Sequence, residues 1–203
     1  MTATRSDRAL RADARRNREL IVGAARELIA ERGADVPMED VARRAKVGVA
    51  TVYRRFPDRA ALIRAVAMDS FGRVVDIARS AEDDEAGAWI ALSRFVRQAA
   101  GELRLSTLLS LWFSATWAEL RDDPENQRLR GVLLKILDRL VHQAKADGDL
   151  RADVETDDIT SMLALLLRPI PGRQPDPGTP DRYLTILLDG LQARADPDRN
   201  PPG

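Results

Sequence analysis

Met38–Arg59 reads MEDVARRAKVGVATVYRRFPDR. Met38, Val41, Ala42 and Ala45 recur at the helical period and form one apolar face. Lys46-Val47-Gly48 interrupts that face. Val52 and Phe56 then fall four apart, the inward side of a second short helix. Pro57 stops it, and Asp58 can cap the helix that follows. Thr51, Tyr53, Arg54 and Arg55 are left on the outward side. Two short helices across a tight turn, the second with an exposed polar and basic face, are the layout of a helix-turn-helix.

The chemistry of that outward face suits a DNA duplex. Thr51 and Tyr53 offer hydroxyls to phosphates, which position a helix without reading sequence. Arg54 and Arg55 can donate to guanine edges or to phosphate. Val49 and Ala50 stand at the helix start, where apolar contact with a thymine methyl is available. On the inward side Ala42 is small where the two helices must approach, while Val47, Val52 and Phe56 hold the turn.

On either side of this stretch, almost every periodic segment keeps the helical spacing. From Leu20, an apolar face continues through Ile21, Ala24, Ala25, Leu28 and Ile29 and stops at Gly33. After Asp58, a fourth helix carries Leu62, Ile63, Val66, Phe71, Val74, Val75 and Ala78 toward residue 80. Glu82–Glu85 reads as a connection. Trp89, Leu92, Phe95 and Val96 mark a fifth helix, and Leu108 to Trp117 a sixth. Pro124 opens a seventh, closed by Asp147-Gly148-Asp149. An eighth covers about Thr156 to Arg168, and a ninth about Asp181 to Arg194. Between them Pro169–Pro180 is too rich in Pro and Gly for regular structure and reads as a loop. The prediction is an all-α fold of about nine helices. Residues 1–60 form an N-terminal helix-turn-helix domain with 1–13 as a disordered arm. Residues 61–195 form a C-terminal helical bundle that binds ligand and dimerises, and 196–203 form a disordered tail.

Composition narrows the function classes. The 203 residues hold no cysteine and one histidine, His142, which leaves no disulfide, no thiolate metal site and no histidine-based catalytic cluster. No metal site and no cofactor is expected. No apolar run reaches the ~20 residues of a membrane span, and the charged N-terminus has no signal-peptide core, so a cytoplasmic protein is expected. The zero net charge hides an asymmetry. Residues 1–64 carry 15 of the 32 basic and 9 of the 32 acidic residues, a balance of +6, which leaves −6 for the rest. Only the front of the chain should meet a polyanion. Arg5, Arg8, Arg11, Arg15, Arg16 and Arg18 form a basic lead-in, of which Arg15 and Arg16 are assigned to DNA and Arg5 and Arg8 to a solvated tail.

The first three helices resemble the N-terminal domain of tetracycline-repressor (TetR) family regulators. The residues that carry the resemblance are Ile21–Leu28, Gly33, Met38–Ala42, Val47–Phe56 and Asp58-Arg59 followed by Leu62. The specific match covers about residues 14–66, and beyond it only helix number, helix lengths and loop position are similar. The resemblance implies that Val49, Ala50, Thr51, Tyr53, Arg54 and Arg55 contact DNA, and that Arg59 stands where the family has a phosphate-binding lysine. Two positions depart from the family pattern. Lys46 replaces a frequent glycine in the turn, where a left-handed backbone would cost roughly 1 kcal/mol that a phosphate contact would offset. Pro37 replaces a Ser or Thr before the second helix; it suits a first-turn position but supplies no capping oxygen.

The rest of the chain suggests two further sites. Trp89, Phe95, Trp112, Phe113 and Trp117 concentrate the few aromatics in the fifth and sixth helices. With Phe71, Thr116 and His142 they are the candidates to line an apolar pocket for a small effector of unknown identity; the plainer alternative is an ordinary bundle core. The eighth and ninth helices are apolar around much of their circumference, so a two-fold partner is expected to cover Met162, Leu166, Tyr183, Leu184, Leu187, Leu188 and Leu191. The function expected is a ligand-responsive transcriptional regulator, a repressor, that binds a palindromic operator as a homodimer and is released by a largely apolar effector. An effector-independent or architectural DNA-binding protein is the alternative. An all-α enzyme is remote: there is no Gly-rich phosphate loop, and the pairs Asp122-Asp123 and Asp157-Asp158 lie at helix starts, where they favour the dipole.

Overall fold

The computed structural model describes residues 5–32, 35–83, 87–105, 122–166 and 179–193. Eight helices lie among them: α1 (Arg5–Arg32), α2 (Met38–Ala45), α3 (Val49–Arg55), α4 (Arg59–Glu82), α5 (Ala88–Leu105), α6 (Pro124–Ala146), α7 (Thr156–Leu166) and α8 (Thr179–Leu191). The only other pairing among the described residues is an isolated antiparallel bridge between Leu150 and Gln192. The fold is all-α. The sixth predicted helix, with Trp112, Phe113, Thr116 and Trp117, lies outside the described residues, as do 1–4, most of the Pro-rich loop and the tail from 194.

The chain divides into two compact units, residues 1–72 with 102–126, and residues 73–101 with 127–203. The first unit therefore runs past residue 60, where the sequence reading ends the N-terminal domain. The reason lies in its core. Leu62, Ala65 and Val66 on the first turns of α4 are buried with Ile21, Val22, Ala25 and Leu28 of α1, Val41 and Ala42 of α2, and Val52 and Phe56. Asp58 starts α4 as expected, its Oδ1 accepting from the Ala61 amide at 2.7 Å.

α1 differs from expectation at two points. It begins at Arg5, so residues 5–13 are helical where the sequence reading has a disordered arm. Ala, Arg and Leu are good helix formers, and no Gly or Pro interrupts the segment, so propensity outweighs its high charge. Leu20, counted as part of the apolar face, is half exposed.

One ion pair in the first unit is largely shielded. Arg26 Nη1 lies 3.1 and 3.3 Å from the two carboxylate oxygens of Glu102, with side-chain exposures of 22% and 12%. Arg26 Nε is buried without a partner. Glu102→Ala should thus destabilise the protein by about 1–3 kcal/mol, because a guanidinium already short of one acceptor loses its carboxylate. Glu102→Gln, which keeps an acceptor, should cost less. A thermal or urea melt that finds the two variants equal, or both at wild-type stability, removes this pair from the structural account.

Asp123, still in the first unit, precedes α6 and accepts from the Glu125 and Asn126 amides at 2.9 and 3.1 Å, with Pro124 in the first helical position. Gly148, at φ 81°, turns the chain after α6. The segment that follows is tied to the end of α8 by Arg151 N–H to Leu191 C=O at 3.1 Å and Ala193 N–H to Asp149 C=O at 2.8 Å. α7 and α8 contact each other.

Candidate nucleic-acid interface

Backbone hydrogen bonds set the turn that presents α3. Lys46 adopts the left-handed conformation, φ 55° and ψ 40°, the only positive φ of a non-glycine among the described residues. Its amide donates to Arg43 C=O at 3.2 Å, and Val47 N–H donates to Ala42 C=O at 3.0 Å. These two bonds close α2 in a Schellman motif, which satisfies its last carbonyls. The expected strain at Lys46 is therefore present. Pro37 stands just before α2 as its N-cap, extended at φ −63° and ψ 142°, and supplies no side-chain cap, as its sequence position implies. Its carbonyl accepts from Asp40 and Val41. Proline's fixed φ fits that extended backbone as well as it fits a helix.

α3 is seven residues long and is preceded by Gly48 as N-cap, whose carbonyl accepts from Thr51 and Val52 at 2.8 and 3.2 Å. Val52 and Phe56 are buried, and Arg18 of α1 sits 5.9 Å above the Phe56 ring. Val49, Ala50, Tyr53, Arg54 and Arg55 are exposed and Thr51 is half-buried. The six residues therefore occupy one short helix with a free outer face, held from within by two apolar anchors. The Tyr53 hydroxyl lies 3.5 Å from Glu39 Oε1, a long hydrogen bond that draws it toward α2.

Most basic side chains of this unit have partners. Arg15 pairs with Glu19 at 2.9 Å and Arg16 with Asp13 at 2.6 Å. Arg43 meets Asp40, and Arg59 meets Asp35. Arg44 bridges Glu27 and Glu31; the Glu31 carboxyl, accepting from Arg44, is held below its usual 4.5. Arg15, Arg16 and Arg59, all assigned to DNA from the sequence, would have to exchange carboxylates for it. Arg55 Nη2 donates to the Ala14 carbonyl of α1 at 2.9 Å. Arg54 and Lys46 have no partner among the described residues. A cleft of about 370 Å³ separates α1 from α3, lined by Asp13, Ala14, Asn17, Thr51, Arg54 and Arg55.

The expected effector residues are only partly brought together. Phe71, half-buried, belongs to the first unit. In the second unit Phe95 is a fully buried core residue, Trp89 is half-buried and His142 is exposed. His142 lies in an open groove of about 600 Å³ with Glu82, Asp138, Arg139 and Gln143, whose lining includes neither Trp89 nor Phe95. Trp112, Phe113, Thr116 and Trp117 lie outside the described residues. No cluster of three or more metal-ligating side chains occurs among the described residues, and no described helix is long and apolar enough to cross a membrane.

On α7 and α8 the residues expected at the interface differ in burial. Leu184, Leu188 and Leu191 are buried within the chain itself, and Leu166 and Leu187 are half-buried. The exposed apolar side chains are Met162, Leu165, Tyr183 and Ile186. Leu165 and Ile186 were not singled out from the sequence. Leu165 follows Leu163, which is buried, and a helix apolar on two sides gives no signal as to which side its own chain covers.

Residues 21–66 match the family described as bacterial regulatory proteins, tetR family, and residues 88–193 match the C-terminal domain described as transcriptional regulator SbtR-like. No curated protein matches the chain. Among solved structures it is similar to a TetR transcription regulatory protein from Mycobacterium vanbaalenii, at 32% identity over 91% of this chain and 99% of that one, with a TM-score of 0.64. A TetR transcriptional regulator from Streptomyces coelicolor is 30% identical over 88% and 99% of the two chains, TM-score 0.62. A fatty acid degradation regulator from Bacillus halodurans, at 23% identity over 88% and 97%, shares the fold with a TM-score of 0.63. With the helix-turn-helix geometry above, these matches establish that the chain belongs to the TetR family and is a DNA-binding transcriptional regulator, not an enzyme.

Proposed function

We propose that the protein is a ligand-responsive repressor that binds a palindromic operator as a homodimer and is released by a small, largely apolar effector. The observation that carries the DNA half of this reading is α3: a short helix, anchored from within, whose outer face presents apolar, hydroxyl and guanidinium groups together. Two copies related by a two-fold axis would set two such helices in successive major grooves. The exposed Met162, Leu165, Tyr183 and Ile186 support the dimer. Selection from random duplexes should return an inverted repeat. A library with no enriched repeat would overturn the reading.

The effector half is supported by the aromatic content of residues 89–117 and by Ser70. That serine, on α4, is fully buried, and its hydroxyl has no partner among the described residues. A polar atom of a bound molecule would satisfy it. Trp89, Trp112 and Trp117 are the chain's three tryptophans, so effector binding should change intrinsic fluorescence. The same compound must weaken operator binding by the factor by which operator weakens its own binding. Trp112→Ala should abolish the response and leave the operator affinity of the free protein nearly intact. A Trp112→Ala protein that still responds in full would place the effector elsewhere.

A further inference from the structure

The two adjacent arginines of the recognition helix are held differently, and the difference divides their labour. We infer that Arg54 reads a base edge, whereas Arg55 is a positioning residue that ties α3 to α1 and makes no contact with the operator. The inference rests on the operator reading proposed above and assigns roles within it.

α3 has seven residues, and an isolated helix of that length is not stable in water. Its sequence, with β-branched Val49, Thr51 and Val52, adds little propensity. Val52 and Phe56 anchor one side of the helix. A cleft of about 370 Å³ lies between α3 and α1, so side-chain packing does not fix the tilt there. Arg55 crosses that gap: Nη2 reaches the Ala14 carbonyl at 2.9 Å. A carbonyl already inside a helix still has a second lone pair to accept this donor. Asp13 lines the same cleft, but Arg16 occupies its carboxylate at 2.6 Å, so the Ala14 carbonyl is what holds Arg55. Arg54 lines the cleft beside it but has no partner among the described residues, so its fork of donors is available to a guanine. Base readout demands placement to a fraction of an ångström, which is the service a third anchor supplies.

The full-length protein is tested on the inverted repeat recovered by selection, on each of its single-base-pair variants, and at several salt concentrations. Arg54→Ala should weaken the best site roughly ten- to hundredfold and become indifferent at one base pair per half-site. Arg55→Ala should weaken all sites by one common factor. It should keep the wild-type preference at every position and the wild-type salt slope, since each lost phosphate contact lowers that slope by ~0.9. Arg55→Lys, which retains a donor, should recover part of the affinity. A cooperative melt for each variant shows that α3 still belongs to a folded unit. If Arg55→Ala loses preference at one base pair, or its salt slope falls by about one, Arg55 contacts DNA and the inference is wrong. If the Arg54→Ala preference profile stays wild-type, Arg54 is no base reader and it is equally wrong. Absence of an enriched repeat with the wild-type protein would instead overturn the operator reading itself.

Discussion

Leu165→Glu combined with Ile186→Glu is expected to turn the proposed dimer into a monomer and to abolish operator binding at concentrations that saturate the wild type. The two side chains are 67% and 57% exposed in the isolated chain, so charging them leaves the protomer's own core intact. In a two-fold dimer each occurs twice. At ~1.5–3 kcal/mol for each large apolar side chain buried, four of them account for ~6–12 kcal/mol of association, and buried unpaired carboxylates reverse the sign. The dissociation constant should therefore move by several powers of ten. Light scattering reads the mass directly, and a full operator compared with a single half-site reads the consequence. The contrast with Leu184, Leu188 and Leu191 is informative: charges there would disrupt the chain's own core and would not distinguish dissociation from unfolding. A double variant that remains a dimer at micromolar concentration would place the interface on another surface.

That contrast also marks where the sequence stops being legible. The N-terminal helices could be read residue by residue, because one-sided helices declare their inner face. Met38, Val41, Ala42 and Ala45 are all buried, as their spacing requires. α8 has two apolar stripes. Leu184, Leu188 and Leu191 turn toward the chain's own core, and Tyr183 and Ile186 turn outward. Periodicity alone cannot rank two stripes of the same residue types. Long-range polar partners were equally hidden. Arg55 finds Ala14 across 41 residues and Arg26 finds Glu102 across 76. Neither spacing carries a helical or strand period that could flag it. Charge misled in one place: the arginines of the first turns suggested a solvated arm, while their helix propensity extends α1 to Arg5. The left-handed Lys46 was legible only because it replaces glycine in a turn whose pattern is otherwise familiar.

Phe56→Ala should be the most damaging single truncation in the first unit. Phe56 is 4% exposed and is the one aromatic in the cluster of buried side chains that joins α1, α2, α3 and α4 among the described residues. Many of its companions are alanines, Ala24, Ala25, Ala42, Ala45 and Ala65 among them. Small side chains have no length with which to close a cavity, so relaxation recovers little of the loss. Truncation of a buried phenylalanine costs ~3–5 kcal/mol, and the Arg18 guanidinium above the ring adds ~0.5–1 kcal/mol. That is a large fraction of the ~5–15 kcal/mol by which domains are stable. The damage falls first on α3, which keeps only Val52 as an apolar anchor. Specific and non-specific DNA binding should then fail together, because no ordered helix remains to offer either base or phosphate contacts. Tyr53→Phe, on the exposed side of the same helix, should leave stability within about 0.5 kcal/mol of wild type and affect DNA binding alone. Urea titrations followed by circular dichroism separate the two. A Phe56→Ala protein that loses less than about 1 kcal/mol would show that α3 is held by something other than its apolar anchors.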